Sequence, residues 1–405
     1  MPKLSFIKKY FRPQLRWNTW KGRIFKYSPS FLKPLFNLIH FVNRRKNSSF
    51  KYSPKILILA QNQGIGDAIL YSCAIKVLRN EYPNSIIKLI CTENSYQITK
   101  YFKSIDFIEP FKFNLLEDLT STRKWKPDII IDFYAGFSLY SALLALLSNC
   151  KVLIGFDFWL RGLFYNVRIG RNYFTTDLNA HFAEMCLGLI NKAFGISHSV
   201  MEIGFENEFA TVKILNWAKS ITFNFDKPIV ALQPGARDDI DVIDKRWPAR
   251  NYIKLAKKII NDLNGTVVIL GSPSEAKYCE SIEKNIGNES IVNYCGKTSV
   301  LETTAVLKCC DVLICNNSGL LHIAAALGVP TISFSGGINL SRWKPYFNDI
   351  HKIMFNNYNC NTTLCLNCSL KGEKCFNPIS SEKVFSEFVN NFNLKNSGGL
   401  NEFKM

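Results

Sequence analysis

The chain has 405 residues, 47% hydrophobic, 20% charged and 13% aromatic. That composition excludes a disordered or fibrous protein, and the length accommodates two domains that each bury a sizeable core. The net charge of +18 sits at one end: residues 1–55 carry fourteen Lys and Arg and no acid, which leaves 36 basic against 32 acidic side chains in the rest.

A nearly neutral body argues against nucleic acid as a partner. Residues 1–50 form a basic arm that also carries Phe6, Phe11, Trp17, Trp20, Phe25, Phe31 and Phe36. Each basic residue near an anionic membrane contributes roughly 1 kcal/mol, and aromatic rings favour the interface. The arm is therefore expected to hold the protein on the anionic inner membrane surface; a solvated extension with incidental charges is the alternative. The longest apolar run, from Phe137 to Ser148, is about twelve residues, whereas a crossing helix needs around twenty. Lys8, Lys9, Arg12 and Arg16 interrupt any signal-peptide core. The expected location is cytoplasmic, peripheral on the inner face of the cytoplasmic membrane.

Along the chain, KILILA at 55–60 reads as a buried strand and a helix follows from about Asp67 to Asn80. IIKLIC at 86–91 predicts the next strand, with a helix near Tyr96. DIIIDF at 128–133, an apolar helix over 138–148 and KVLIGF at 151–156 continue the pattern. Strands without polar alternation, separated by helices, indicate a parallel sheet covered on both faces. Residues 157–225 read as mostly helical and aromatic, the tail of the first domain plus a linker. The pattern then restarts with PIVALQPG at 228–235, a helix over Tyr252 to Leu263, and strands TVVILG at 266–271, IVNYCG at 291–296, DVLICNN at 311–317 and VPTISFSG at 329–336. The fold class is α/β, with two Rossmann-like doubly wound domains at 51–220 and 221–395, the arm at 1–50 and a tail at 396–405. Ligands bind at the carboxyl ends of parallel strands, so the expected site is a cleft faced by both domains.

Three segments carry candidate chemistry. QNQGIGDAIL at 61–70 follows a strand and opens a helix. Gly64 and Gly66 allow a tight turn and close approach to a ligand, and Asp67 falls at the helix start. The segment lacks the third glycine of a dinucleotide fingerprint and the Gly-Lys-Ser/Thr of a P-loop; a helix N-cap alone also explains an aspartate there. QPGARDDIDVIDKRWPARNY at 233–252 combines a glycine loop with Lys245, Arg246, Trp247 and Pro248 at a helix entry, a combination suited to a diphosphate and also to a solvated basic turn. In CNNSGLLHIAAALGVPTISFSG at 315–336, Asn316 and Asn317 end a strand, Ser318 and Gly319 turn, and a small-residue helix begins near Leu320. Its free N–H groups and positive dipole end are expected to point into the cleft; ordinary strand–helix capping is the alternative for the turn. His322 is either part of it or a packing histidine.

Thirteen cysteines are present. Cys73, Cys91 and Cys315 lie in apolar elements and read as small buried hydrophobes. Cys360, Cys365, Cys368 and Cys375 have a spacing compatible with a structural zinc knuckle, with a local thiol or disulfide staple, or with plain packing.

GIGDAIL, QPGA followed by KRWP, GSPSE at 271–275, CGKTS at 295–299 and NNSGLLHIAAALGVP, in this order, resemble the motifs of the glycosyltransferase family 9 heptosyltransferases of lipopolysaccharide synthesis. The resemblance covers about residues 54–390. It implies the GT-B arrangement and an inverting transfer, mainly from ADP-heptoses, to a lipopolysaccharide or related glycolipid acceptor. Asp67 matches the catalytic base. Lys245 and the amides of Ser318, Gly319 and Leu320 match groups that take the charge of the leaving diphosphate. Asn317 and His322 lie in the same donor motif, Glu275 matches a position near the nucleoside, and Gly64 and Gly66 match the acceptor-side loop. The family places Asp before Ser-Gly in the third motif; Asn317 stands there in this chain. No obligatory cofactor or catalytic metal is implied, only a nucleotide-diphosphate sugar. A nucleotide-sugar epimerase-like enzyme, or a non-catalytic nucleotide-sugar-binding protein, would use the same fold.

Overall fold

The computed structural model describes residues 53–61, 63–136, 138–169, 180–200, 227–235, 246–335, 340–346, 350–355 and 376–391. The chain divides into two compact units, Met1–Gln63 with Cys73–Met201, and Gly64–Ser72 with Glu202–Met405. The basic arm, the segment with Lys245 and the cluster Cys360, Cys365, Cys368 and Cys375 lie outside the described residues.

The first sheet contains β1 (Lys55–Ala60), β2 (Ile86–Cys91), β3 (Phe107–Pro110), β4 (Ile129–Asp132), β5 (Val152–Phe156) and β6 (Val167–Ile169). Its order is β3-β2-β1-β4-β5-β6, with every neighbouring pair parallel. Its helices are α1 (Ile65–Glu81), α2 (Glu93–Thr99), α3 (Leu115–Trp125), α4 (Tyr140–Leu147) and α5 (Phe182–Phe194). Ile56, Leu57, Ile58, Leu59 and Ala60 are all at most 1% exposed, as a strand covered on both faces requires. The apolar α4 packs its Ala142, Leu144 and Ala145 against Leu57, Leu59, Ile130 and Leu153.

The second sheet contains β7 (Ile229–Gln233), β8 (Thr266–Ile269), β9 (Ile291–Asn293), β10 (Val312–Asn316), β11 (Thr331–Ser335) and β12 (His351–Phe355). Its order, β12-β11-β10-β7-β8-β9, is again wholly parallel. Helices α6 (Ala249–Leu263), α7 (Ala276–Ile286), α8 (Val300–Lys308), α9 (Gly319–Ala326), α10 (Leu340–Trp343) and α11 (Ser381–Asn391) accompany it. Trp247, fully buried, anchors one face: it stacks on Phe334 at 4.4 Å, meets Tyr252 edge-on at 4.8 Å, and donates its indole N–H to the carbonyl of Ile379 at 2.8 Å.

Both sheets have one topology, two βαβαβ halves running outward from adjacent central strands. The reversal falls between β1 and β4 in the first and between β7 and β10 in the second, and the carboxyl ends of such strand pairs are where ligands enter doubly wound folds. The expected pair of Rossmann-like units is therefore observed. Residues 157–225, expected to be mostly helical, contain the edge strand β6 besides α5. Edge strands β3 and β12 are further elements that apolar runs did not reveal. Among the described residues no helix is long and apolar enough to cross a membrane. The nine described cysteines are buried and form no disulfide; burial pushes the Cys73 thiol up to about 12 and the Cys91 thiol up to about 11, so neither is a nucleophile at neutral pH.

Candidate functional site

After β1 the chain turns through Gly64 into α1, and the first helical bond runs from Ala68 N–H to the Gly64 carbonyl. Asp67 lies in the first turn of the helix. Its Oδ2 reaches back to accept the Gly64 N–H at 2.7 Å. The carboxylate thus satisfies an N–H that the helix leaves over, as the acidic member of a capping box does, rather than acting as the N-cap itself. It is half-buried, at the helix end whose dipole favours negative charge.

Gly66 is buried and belongs to the second unit with Gly319 and His322. A Cβ on Gly66 would come within 2.6 Å of His322 Cδ2 and 3.3 Å of the Gly319 Cα. Two glycines from the first and third motifs therefore meet backbone to backbone, against the edge of a buried imidazole. The residue before each, Ile65 and Ser318, flanks the contact; Ile65 Cβ would lie 3.4 Å from a Cβ on Gly319.

At the end of β10, Asn316 is fully buried. Its Oδ1 accepts the Trp247 N–H at 2.8 Å, and its Nδ2 donates to the carbonyls of Pro234 at 2.8 Å and Gly235 at 3.0 Å. One side chain so joins the β7 loop, the KRWP turn and the third motif. Asn317 and Ser318 are half-buried. Ser318 is the extended residue before α9 but makes no side-chain cap; its hydroxyl donates instead to Gln233 Oε1. The first-turn N–H groups of α9, from Gly319 and Leu320 onward, have no intrahelical acceptors and form a positive end suited to an anion. Leu320 and His322 are buried.

Glu275 ends a single 3₁₀ turn, Pro273–Glu275, and its Oε2 accepts both the N–H and the hydroxyl of Ser272 at 2.6 Å. The rest of the carboxylate lies over Gly235, where any Cβ would collide with it. Glycine in QPGA is thus required by the close approach of an acid from another segment. Arg246 lies over the ring of Tyr278 at 4.9 Å. Among the described residues no group of three or more His, Cys, Asp and Glu could hold a metal ion.

A network in the first unit was not legible in the sequence. Arg161 and Asp132 are both fully buried and paired at 2.6 Å. Tyr165 donates to the same Asp132 oxygen at 2.7 Å, and Arg161 also reaches the Ser141 hydroxyl at 3.1 Å and the Ser138 carbonyl. Burial by itself lowers the Arg161 pKa; Asp132, then Tyr165 and Tyr134, outweigh it, and the guanidinium lies above the usual arginine value. From the β1 side, Gln61 donates to Ser138 at 2.6 Å and accepts the Ser141 N–H at 2.9 Å. The loop after β4 is held from both sides. Its only sequence signal, an arginine inside the apolar run WLRGLF, does not say what it pairs with.

Residues 123–373 match glycosyltransferase family 9 (heptosyltransferase). The chain belongs to glycosyltransferase family 9. This family 9 glycosyltransferase is 23% identical over 331 residues to lipooligosaccharide heptosyltransferase 2 of Campylobacter jejuni, spanning 80% of this chain and 95% of that protein. Its fold is similar to that of E. coli ADP-heptose lps heptosyltransferase II, with a TM-score of 0.68 at 18% identity, covering 85% of this chain and all of that one. It is also similar to E. coli heptosyltransferase WaaC solved with ADP-2-deoxy-2-fluoro heptose, with a TM-score of 0.59 at 16% identity, covering 83% and 99%. The family 9 glycosyltransferase thus presents Gly64, Gly66, Asp67, Gly319 and His322 in one unit, with Glu275 and Asn317 on the same unit's carboxyl-edge loops.

Proposed function

We propose that this glycosyltransferase moves a heptose from ADP-heptose to a lipopolysaccharide or related glycolipid acceptor, with inversion at the anomeric carbon. Asp67 takes the proton from the acceptor hydroxyl as its oxygen attacks the anomeric carbon. The bond from that carbon to the diphosphate oxygen breaks, and ADP leaves with the electron pair. Lys245 and the amides of Ser318, Gly319 and Leu320 receive the developing negative charge. Glu275 faces the nucleoside, and His322 and Asn317 border the diphosphate and sugar. The carboxamide of Asn317 supplies a hydrogen bond where the family has a carboxylate. No resident metal is needed, because amides and a lysine do the work of a cation.

The observation that carries this reading is the approach of Gly66 to Gly319 and His322, which puts the Asp67 turn beside the helix start suited to an anion. The donor reading is supported by the WaaC neighbour with its ADP-sugar analogue, and the acceptor reading by the heptosyltransferase relatives. Residues 1–50 hold the enzyme on the anionic inner membrane surface, where a glycolipid acceptor lies, so the enzyme works as a cytoplasmic, peripheral protein.

The test is Asp67→Asn, assayed for ADP release and for glycosylated product with ADP-heptose and a glycolipid acceptor. The amide oxygen can still accept the Gly64 N–H, so the fold is retained. Transfer is expected to fall at least about 100-fold, the lower range for a lost general base. Turnover near wild type in the variant discards the assignment, and ADP release independent of acceptor in the wild type discards the transfer.

A further inference from the structure

Gln63 follows the end of β1 and is 6% exposed as a residue. Its backbone carbonyl accepts two hydroxyls, from Thr92 at 2.5 Å and Ser95 at 2.6 Å, which pins the residue in place. Its Nε2 donates to the Phe133 carbonyl, after the end of β4, at 2.9 Å. That bond also decides which way the amide faces, since turning it over would set Oε1 against a carbonyl oxygen. Phe133 is itself held, its N–H bonded to the Leu59 carbonyl at 3.0 Å. Oε1 is therefore a fixed, buried acceptor, and among the described residues it has no hydrogen-bond partner.

A buried polar atom left unsatisfied calls for a water or a ligand to complete it. The place favours a ligand. Gln63 bridges the carboxyl ends of β1 and β4, the adjacent central strands at which the first sheet reverses, where doubly wound folds bind substrates. The next residue, Gly64, has free space about it: a Cβ there would meet only Asp67 Oδ2, at 3.8 Å. Asp67 itself is four residues on in the sequence.

We propose that Gln63 Oε1 accepts a hydrogen bond from a hydroxyl of the acceptor sugar other than the one glycosylated, and so selects the acceptor. This rests on the glycolipid-acceptor reading above. A sugar offers hydroxyl donors beside the attacked one, and a site built for such a donor rejects an analogue lacking it because its own buried oxygen then stays unpaired.

The experiment compares wild type with Gln63→Met, near in size but without polar atoms, using ADP-heptose, the intact acceptor and a set of monodeoxy acceptors lacking each other hydroxyl in turn. With the intact acceptor, kcat/KM for Gln63→Met is expected to fall about tenfold or more, with the KM for ADP-heptose within about twofold. One monodeoxy acceptor should lose the same factor with wild type and nothing further with the variant. This wild-type arm stands even where the variant fails to fold. Equal losses on every acceptor, or an unchanged kcat/KM on the intact one, mean that Oε1 holds a structural water or nothing, and overturn the inference alone. No transfer by wild type to any of these acceptors overturns the reaction and the inference together.

Discussion

The Oδ1 of Asn316 and the backbone N–H of Trp247 are joined by a 2.8 Å hydrogen bond across 69 residues of sequence. The same carboxamide donates to two carbonyls of the QPGA loop. Asn316 therefore sets the distance between the loop after β7, the turn before α6 and the start of α9. Asn316→Leu strands one N–H and two carbonyls in a dry interior, and is expected to destabilise the protein by about 2–4 kcal/mol in urea unfolding. A loss below about 1 kcal/mol would show that solvent reaches these groups.

Gly66 and Gly64 give a paired test of the motif. Alanine at 66 would press on His322 and the Gly319 backbone, costing about 1–3 kcal/mol if the contact is forced apart. A displacement near 1 Å at a reacting centre can cost about 100-fold in rate, so Gly66→Ala should lose far more transfer than stability. Gly64→Ala meets only Asp67 Oδ2 at 3.8 Å and should unfold at the wild-type temperature. Equal activity of the two variants, measured by ADP release, would remove the close approach from the account.

Arg161 and Asp132 form a buried pair whose members depend on each other. Arg161→Met leaves a carboxylate in the interior with, among the described residues, only Tyr165 and the Tyr134 N–H to answer it. Breaking a buried pair in this way costs about 3–5 kcal/mol. The double variant Arg161→Met with Asp132→Leu should recover most of that loss, because the uncompensated charge is gone. Thermal melts of the two singles and the double decide it; additive losses would contradict the coupling.

Burial lowers the pKa of His351 from the usual 6.5 to about 4, while its Nδ1 pairs with the Thr331 hydroxyl at 3.0 Å. The folded protein keeps the ring neutral while the unfolded chain takes up a proton. Its contribution to stability is complete above pH 6.5, is lost as pH falls from 6.5 through 4, and changes no further below that. Allowing for partial exposure, the loss is ~1–2 kcal/mol. Urea unfolding between pH 7 and pH 4 should show a shallower decline for His351→Gln than for wild type.

Much of this was legible in the residues because burial on both faces forces a strand to be apolar throughout. KILILA, IIKLIC and DVLICNN announced β1, β2 and β10 for that reason, and the glycine-containing continuations of β1 and β10 announced the loops that follow those two. The strands that escaped, β3, β6 and β12, are sheet edges. An edge strand is covered incompletely, as the 55% exposure of Phe107 in β3 shows, so no continuous apolar run marks it.

The sequence by itself determined the α/β class, the two repeats of the pattern and the family, since periodicity and motif order are properties of a string. It could not say that Asn316 rather than Asn317 is the buried clamp, that Glu275 lies over Gly235, that Arg161 pairs with Asp132, or that Gly66 meets Gly319. Those relations join residues 29 to roughly 250 positions apart. Only the folded chain decides them, because a hydrogen bond or a van der Waals contact acts over a few ångströms of space and takes no account of separation along the backbone.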